Sequence, residues 1–237
     1  MTYIIGDVHG EFDSLRLLTD KLPKDSKLIF VGDLVDRGKK SKEVVEFVKS
    51  NNYLCVLGNH EKMMLDYLEE FEKTYPQLPS LIYHHRWIHN GGKQTLLSYG
   101  VIEIDKQDGK LVCSKDDEKF KELMEHFFWL KKLPMHIELE NKKDGKQIVV
   151  SHASMGDVWE FIEDENKSDI VEEYALWNRK IPKLDTPIFN IFGHTIQREV
   201  DLSKHFINVD TGCCYPDEGY GVLSAYCVEK DEVVTSK

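Results

Sequence analysis

Acidic, imidazole and amide side chains recur in this chain directly after short apolar runs. Three glycine-containing segments show the pattern first, namely Gly6-Asp7-Val8-His9-Gly10, Gly32-Asp33-Leu34-Val35-Asp36-Arg37-Gly38 and Gly58-Asn59-His60-Glu61. Two later apolar runs end in the same way, at His152 and at His194. Carboxylate, imidazole and carboxamide groups make a ligand set suited to a pair of divalent metals. The pattern therefore predicts a metal-dependent hydrolase site that acts on a phosphate group.

Several of these residues have side chains suited to separate steps of phosphate chemistry. Asp33 is placed to bridge two metals, and Arg37 follows it closely with a fork that fits two phosphate oxygens. Arg179, in Trp177-Asn178-Arg179, offers a second fork. His60 is a candidate general acid for the leaving group, and Asp36 a candidate partner that orients it.

The apolar runs before these residues are predicted to be buried strands, because they are short, rich in β-branched residues and ended by glycine. Helical spacing of apolar residues over 12–22 and 41–48 gives two strand–helix–strand units, so their strands are expected to be parallel. Because the carboxyl ends of parallel strands share one edge of a sheet, the polar residues should converge on one crevice. The tail, over 206–209 and 221–228, is expected to form late antiparallel strands.

Length and patterning predict one α/β domain over residues 1–237, a layered β-sandwich flanked by helices. Residues 62–133 are predominantly helical in their spacing and are predicted to form an insertion that overhangs the site. The chain has 237 residues, of which 41% are hydrophobic, which supports a sizeable core.

Composition limits the partners that we expect. The net charge is −11, from 31 Lys+Arg and 42 Asp+Glu, and this argues against nucleic-acid and membrane partners. The odd number of cysteines, five, and the lack of a signal-type or transmembrane segment favour a cytoplasmic protein. The oligomeric state is left open by the sequence.

The three N-terminal motifs and the isolated later histidines resemble the phosphoprotein phosphatase family of serine/threonine phosphatases, within the metallophosphoesterase superfamily. The bacterial branch, typified by bacteriophage lambda phosphatase, is the most similar. Asp36-Arg37 inside the second motif carries much of this resemblance, and Asn90-Gly91-Gly92 followed by Ser98-Tyr99-Gly100 is also similar to bacterial members. The resemblance extends over roughly residues 3–212 and implies the layered sandwich fold.

The resemblance implies two metal sites that share one carboxylate. The first metal would be held by Asp7, His9 and Asp33. The second would be held by Asp33 with Asn59, His152 and His194. Manganese is the expected metal, and iron or zinc would also suit these ligands.

The resemblance also implies roles for the remaining motif residues. Asp36 and His60 resemble the acid dyad of the family. Arg37 and Arg179, together with Asn59, resemble its phosphate-binding groups.

Three functions are compatible with these motifs. The first is hydrolysis of phosphoserine or phosphothreonine in a protein or peptide, by direct attack of a hydroxide that bridges the metals. The alternative is a small-molecule phosphoesterase on the same scaffold, such as a dinucleotide polyphosphate hydrolase of the diadenosine tetraphosphate type. The third is a catalytically silent module that binds phosphorylated partners, which the complete set of expected ligands argues against.

Overall fold

Two five-stranded sheets face each other in the computed structural model, which describes residues 1–78 and 82–237. The helices are α1 (Phe12–Thr19), α2 (Ser41–Ser50), α3 (Asn59–Thr74), α4 (Lys93–Ser98), α5 (Asp117–Leu130) and α6 (Ser168–Trp177). The strands are β1 (Thr2–Ile5), β2 (Lys27–Phe30), β3 (Leu54–Cys55), β4 (Ile102–Ile104), β5 (Leu111–Cys113), β6 (His136–Lys143), β7 (Lys146–Ser151), β8 (Ile188–Phe192), β9 (Asp201–Leu202), β10 (Phe206–Asn208), β11 (Ser224–Cys227) and β12 (Glu232–Thr235).

Each sheet contains three parallel strands. The first sheet has the order β12-β11-β1-β2-β3, in which β1, β2 and β3 run parallel. The second has the order β6-β7-β8-β10-β9, in which β7, β8 and β10 run parallel. The predicted parallel units at the N-terminus are thus confirmed. The expectation of antiparallel tail strands holds for β11, which pairs antiparallel with β1. It holds only in part for β10, which pairs antiparallel with β9 but parallel with β8.

Successive residues of one strand pack into different layers of the core. Ile4 and Ile29 point to the face shared with the second sheet, where they pack with Ile148 and Ile191. Ile5, on the other face of β1, joins the core beneath the helices. Because successive strand residues point to opposite faces, a strand that is apolar throughout is buried on both sides. The chain therefore forms the predicted α/β layered sandwich.

The segment predicted as a helical insertion is mostly helical but contains one hairpin. Helices α3, α4 and α5 lie within or overlap residues 62–133, and Asp116 caps α5 by accepting from the Lys119 amide at 3.2 Å. Strands β4 and β5 pair antiparallel between α4 and α5, which the helical spacing did not predict. Between α3 and α4 the described chain forms a 3₁₀ turn, Ile82–His84, and a π-helical turn, Ile88–Gly92.

Within the residues that the structure describes, no helix combines the length and the apolar character needed to span a membrane.

Candidate metal centre

The predicted site residues meet where parallel strands of both sheets end. Asp7 follows β1 and Asp33 follows β2, while His152 follows β7 and His194 follows β8. A cavity of about 250 Å³ opens at this edge and is lined by eight of the predicted residues, Asp7, His9, Asp33, Arg37, Asn59, His60, Arg179 and His194. The other two, Asp36 and His152, are fully buried behind its wall. The structure therefore brings all ten predicted residues together.

Sharp backbone turns aim these side chains into the cavity. Five of the ten have a left-handed backbone, with φ of 47° at His9, 48° at Asp33, 75° at Asp36, 67° at Arg37 and 66° at His194. This conformation costs a non-glycine residue on the order of 1–3 kcal/mol and concentrates at functional sites. Gly193 allows the closest approach, because a Cβ atom there would collide with Oδ1 of Asp7.

One group of acceptor atoms surrounds Nε2 of His152. The Nδ1 atom of this ring donates to the carbonyl of Val31 at 2.9 Å, which leaves Nε2 with a free lone pair in the neutral imidazole. Nε2 lies 2.8 Å from Oδ1 of Asn59, 3.0 Å from Nδ1 of His194 and 3.5 Å from Oδ1 of Asp33. Lone pairs that converge in this way are favourable around a cation.

A second group of ligand atoms lies on the other side of Asp33. His9 donates through Nδ1 to the carbonyl of Val35 at 2.9 Å, so its Nε2 faces Oδ2 of Asp33 at 3.4 Å. Nε2 of His60 also approaches Oδ2 of Asp33, at 4.0 Å. The guanidinium of Arg37 donates to Nε2 of both rings, at 2.6 Å to His9 and 2.9 Å to His60.

The titration behaviour of these groups suits metal binding. Burial lowers the pKa of His9 and of His152, and burial with the neighbouring His152 lowers the pKa of His194 to about 2. These imidazoles are therefore neutral and can coordinate a metal. Burial, Asp210 and Asp33 raise the pKa of Asp7 well above its usual range, a destabilisation of the carboxylate that a cation would relieve. The residues present thus fit divalent metals.

His60 differs from the other three histidines in its electrostatic environment. Its Nδ1 lies 2.6 Å from Oδ2 of Asp36 and donates to it. Burial alone would lower the pKa of His60, but Asp33 and Asp36 raise it above its ordinary value. The structure therefore pairs His60 with Asp36 as predicted, and it keeps Nε2 of the ring 4.0 Å from Oδ2 of Asp33.

Arg179 lies at the rim of the cavity and is largely exposed. Its Nη1 donates to the carbonyl of His194 at 2.9 Å, which anchors the guanidinium beside a predicted ligand. Arg37 is half-buried, and its Cζ lies 5.3 Å from the centre of the Tyr215 ring. The two arginines thus both face the same cavity.

Two acidic residues of this region lie outside the predicted set. Asp210 lines the cavity, is buried, and follows β10 in the segment Asn208-Val209-Asp210-Thr211-Gly212. The same pattern of an apolar strand followed by an acid and a glycine would have identified it.

Glu61 is the second acidic residue outside the predicted set, and its carboxylate accepts hydrogen bonds from backbone amides. Its Oε1 accepts from the amides of Leu34 at 2.8 Å and Val35 at 3.2 Å, and its Oε2 accepts from Asp33 at 2.8 Å and Gly58 at 3.0 Å. One fully buried carboxylate therefore ties the loop that carries Asp33 to the start of α3.

Comparison with characterised sequences identifies two groups of relatives. The symmetrical bis(5'-nucleosyl)-tetraphosphatase of Actinobacillus pleuropneumoniae serotype 5b is 45% identical over 80 residues, which is 32% of this chain and 30% of that protein. The enzyme of the same name from Buchnera aphidicola is 32% identical over 67% of this chain and 45% of its own length. Serine/threonine-protein phosphatase 2 of Escherichia coli is 25% identical over 89% of this chain and 86% of its length. The match thus spans less than half of either tetraphosphatase.

Solved structures share the fold, and a family model covers most of the chain. A protein provisionally described as a diadenosine tetraphosphatase has a TM-score of 0.61 at 19% identity, over 99% of this chain and 91% of that one. A serine/threonine phosphatase from Saccharomyces cerevisiae has a TM-score of 0.53 at 14% identity, over 99% and 78%. The family model for calcineurin-like phosphoesterases matches residues 2–198. Since that match covers well over half of the sequence, the chain belongs to the calcineurin-like phosphoesterase family.

Proposed function

We propose that this protein is a two-metal phosphoesterase that hydrolyses a dinucleoside polyphosphate. The observation that carries the proposal is the position of Asp33, whose two carboxylate oxygens face two separate groups of acceptor atoms beneath a cavity with two arginines. The named function of the Actinobacillus and Buchnera relatives supports the choice of substrate class.

The shape of the site supports an extended substrate. A second cavity of about 220 Å³ adjoins the first, and Arg179 lines both. The wall of the second cavity includes the apolar side chains of Ile181, Phe192 and Phe206 and the carboxylate of Asp201. A mixed apolar and polar cavity next to a phosphate-binding arginine suits a nucleoside joined to a polyphosphate.

Two ligand sets are assigned on this reading, as the resemblance implied. Asp7, His9 and Asp33 would hold one divalent cation, and Asp33 would share in holding the other with Asn59, His152 and His194. When bound, the cations would lower the pKa of a water molecule and polarise the phosphate oxygens.

The arginines bind the phosphate group. Nη1 of Arg37 donates to the Nε2 lone pair of His9, and that lone pair cannot serve an arginine and a metal together. Nη2 of Arg37 donates in the same way to Nε2 of His60, so the guanidinium would be free for phosphate oxygens once His9 holds a metal and His60 is protonated. Arg179, fixed through the His194 carbonyl, supplies a second fork in the same cavity.

His60 donates the proton that the leaving oxygen requires. Asp36 accepts from Nδ1, which fixes the ring. Nε2, which accepts from Arg37 in this structure, would carry the proton for the leaving oxygen when Arg37 turns to the phosphate. The raised pKa of His60 favours the protonated ring. For a symmetrical dinucleoside tetraphosphate, hydrolysis of the central anhydride with one water gives two nucleoside diphosphates.

A phosphoprotein substrate remains the second candidate, because the Escherichia coli phosphatase matches this chain over nearly its full length. The deciding experiment uses protein reconstituted with Mn²⁺ and assays diadenosine tetraphosphate and a phosphoserine peptide in parallel. We expect kcat/KM to be higher for diadenosine tetraphosphate, with ADP as the product. A higher kcat/KM for the peptide would assign the protein to the phosphoprotein phosphatases, and activity on neither substrate would contradict both proposals.

A further inference from the structure

The helical insertion reaches the acid dyad through a buried tryptophan. Trp87 immediately precedes the π-helical turn Ile88–Gly92 and is fully buried. Its Nε1 lies 2.9 Å from each carboxylate oxygen of Asp36, so the indole N–H donates to the carboxylate that orients His60. The two residues are 51 positions apart in the sequence.

The hydroxyl of Thr95, on α4, contacts both the side chain and the backbone of Asp36. It donates to Oδ1 of Asp36 at 2.7 Å and accepts from the Asp36 amide at 2.9 Å. Ser41 also accepts from that amide, at 3.1 Å. Thr95 and Ser41 are both fully buried, so these bonds are made away from water.

The carboxylate of Asp36 thus has three side-chain donors from three parts of the chain, His60, Trp87 and Thr95. Two of the three belong to the insertion. Asp36 has a left-handed backbone with φ of 75°, a conformation that persists only where the surroundings hold it. Among the described contacts, His60 is the only side chain outside the insertion that donates to the carboxylate of Asp36.

The insertion also contacts the phosphate-binding arginine next to Asp36. The amide of Arg37 donates to the carbonyl of Gly91 at 3.4 Å, and a Cβ atom on Gly91 would lie 2.5 Å from that amide nitrogen. Gly91 has φ of 110°, so the close approach and the backbone both require glycine. The turn at 88–92 is therefore seated on the loop that carries both Asp36 and Arg37.

We propose that Trp87 and Thr95 are positioning residues, which act through Asp36 to keep His60 aimed at the leaving oxygen. On this proposal the insertion covers the site and also positions the general acid. This inference rests on the proposed function, because it takes His60 to be the general acid. It predicts that loss of either donor impairs substrates that need a proton more than substrates that do not.

The test compares two aryl phosphates that differ in leaving group. Phenyl phosphate releases a poor leaving group that depends on protonation, and 4-nitrophenyl phosphate releases a good one that does not. We expect Thr95→Val and Trp87→Phe to lower kcat about 10-fold or more on phenyl phosphate and much less on 4-nitrophenyl phosphate. Bound Mn²⁺ is quantified in every variant and should stay unchanged.

Two matched variants separate positioning from packing. Thr95→Ser keeps the hydroxyl and should recover most of the activity that Thr95→Val loses. Trp129→Phe makes the same truncation on α5, where the half-buried ring has no hydrogen bond to Asp36 among the described residues, and should show no selectivity between the substrates. If Trp87→Phe does not fold, the Thr95 pair decides the question.

The His60→Asn variant separates the acid role of His60 from the positioning role of Trp87 and Thr95. If His60→Asn is selective for the poor leaving group and the Thr95→Val and Trp87→Phe losses are equal on both substrates, the positioning role is overturned and the acid role stands. If Thr95→Ser is as impaired as Thr95→Val, the hydroxyl has no positioning role. If His60→Asn itself is not selective, the acid role is wrong and the inference falls with it.

Discussion

Asp33 lies between two imidazoles, with Oδ1 3.5 Å from Nε2 of His152 and Oδ2 3.4 Å from Nε2 of His9. A carboxylate that offers one oxygen to each side is suited to join two cations.

Asp33→Asn should therefore lose both metals, while a change in one ligand set should spare the other. We expect Asp33→Asn to retain little bound Mn²⁺ and to lose more than about 100-fold in kcat/KM. Wild-type protein stripped with a chelator should be inactive and should recover on addition of Mn²⁺. Metal analysis with activity assays checks this, and full activity of verified metal-free protein would refute the metal assignment.

The pH dependence of kcat should report the protonation of His60. Asp33 and Asp36 raise its pKa above the ordinary value of about 6.5, so the acid is active below that raised pKa and activity falls as pH rises through it. His60→Asn should remove this alkaline limb and lower kcat on phenyl phosphate by about 10²–10⁴-fold. An unchanged alkaline limb in His60→Asn would assign the limb to another group. Loss of metal from this variant would show that His60 is a ligand.

Arg37→Ala and Arg179→Ala should weaken turnover without metal loss, because both guanidinium groups face one cavity. Loss of a bidentate, charge-assisted contact should lower kcat/KM by about 10–100-fold, and Arg37→Lys should restore only part of it. Since the two arginines would share one phosphoryl group, the double mutant should deviate from additivity. Wild-type kinetics for Arg179→Ala would leave Arg37 as the phosphate-binding arginine.

Glu61→Gln should destabilise the fold through the backbone. A glutamine offers one acceptor oxygen and places an NH₂ donor against amides that also donate, so at least one of the buried amides now bonded to Glu61 loses its partner. Each such amide costs about 1–3 kcal/mol of unfolding free energy. Glu72→Gln, at an exposed position of the same helix, is the control and should change stability little. Equal denaturation midpoints for the two variants would contradict this role of Glu61.

Ile181→Ser should raise KM for a nucleotide substrate and leave KM for a small phosphate ester unchanged. Ile181 is 86% exposed in the cavity that shares Arg179 with the metal site, and a nucleoside there would cover it. We expect KM for diadenosine tetraphosphate to rise about 3–10-fold, since apolar contact is lost, while KM for 4-nitrophenyl phosphate stays constant. Leu184→Ser, exposed at 62% and outside that cavity, is the control. The nucleoside site is wrong if Ile181→Ser leaves both KM values unchanged.

The sequence alone identified the candidate ligand residues and the sheet edge that carries them. Asp7, Asp33, His152 and His194 could be found because each follows a local pattern, an apolar run ended by a turn, and because parallel strands bring such ends to one edge. The hydrogen-bonded pair of Asp36 and His60 could be predicted for the same reason, since both residues lie within the strand-exit motifs.

Only the tertiary structure decided what holds these residues in place. Trp87 and Thr95 contact Asp36 from 51 and 59 positions away, and Glu61 joins two loops through four amides. Periodicity reports which face of an element is buried, but not which buried donor meets which acceptor across the core. The same limit explains why the parallel pairing of β10 with β8 was not predicted, because that pairing is set by packing between distant segments.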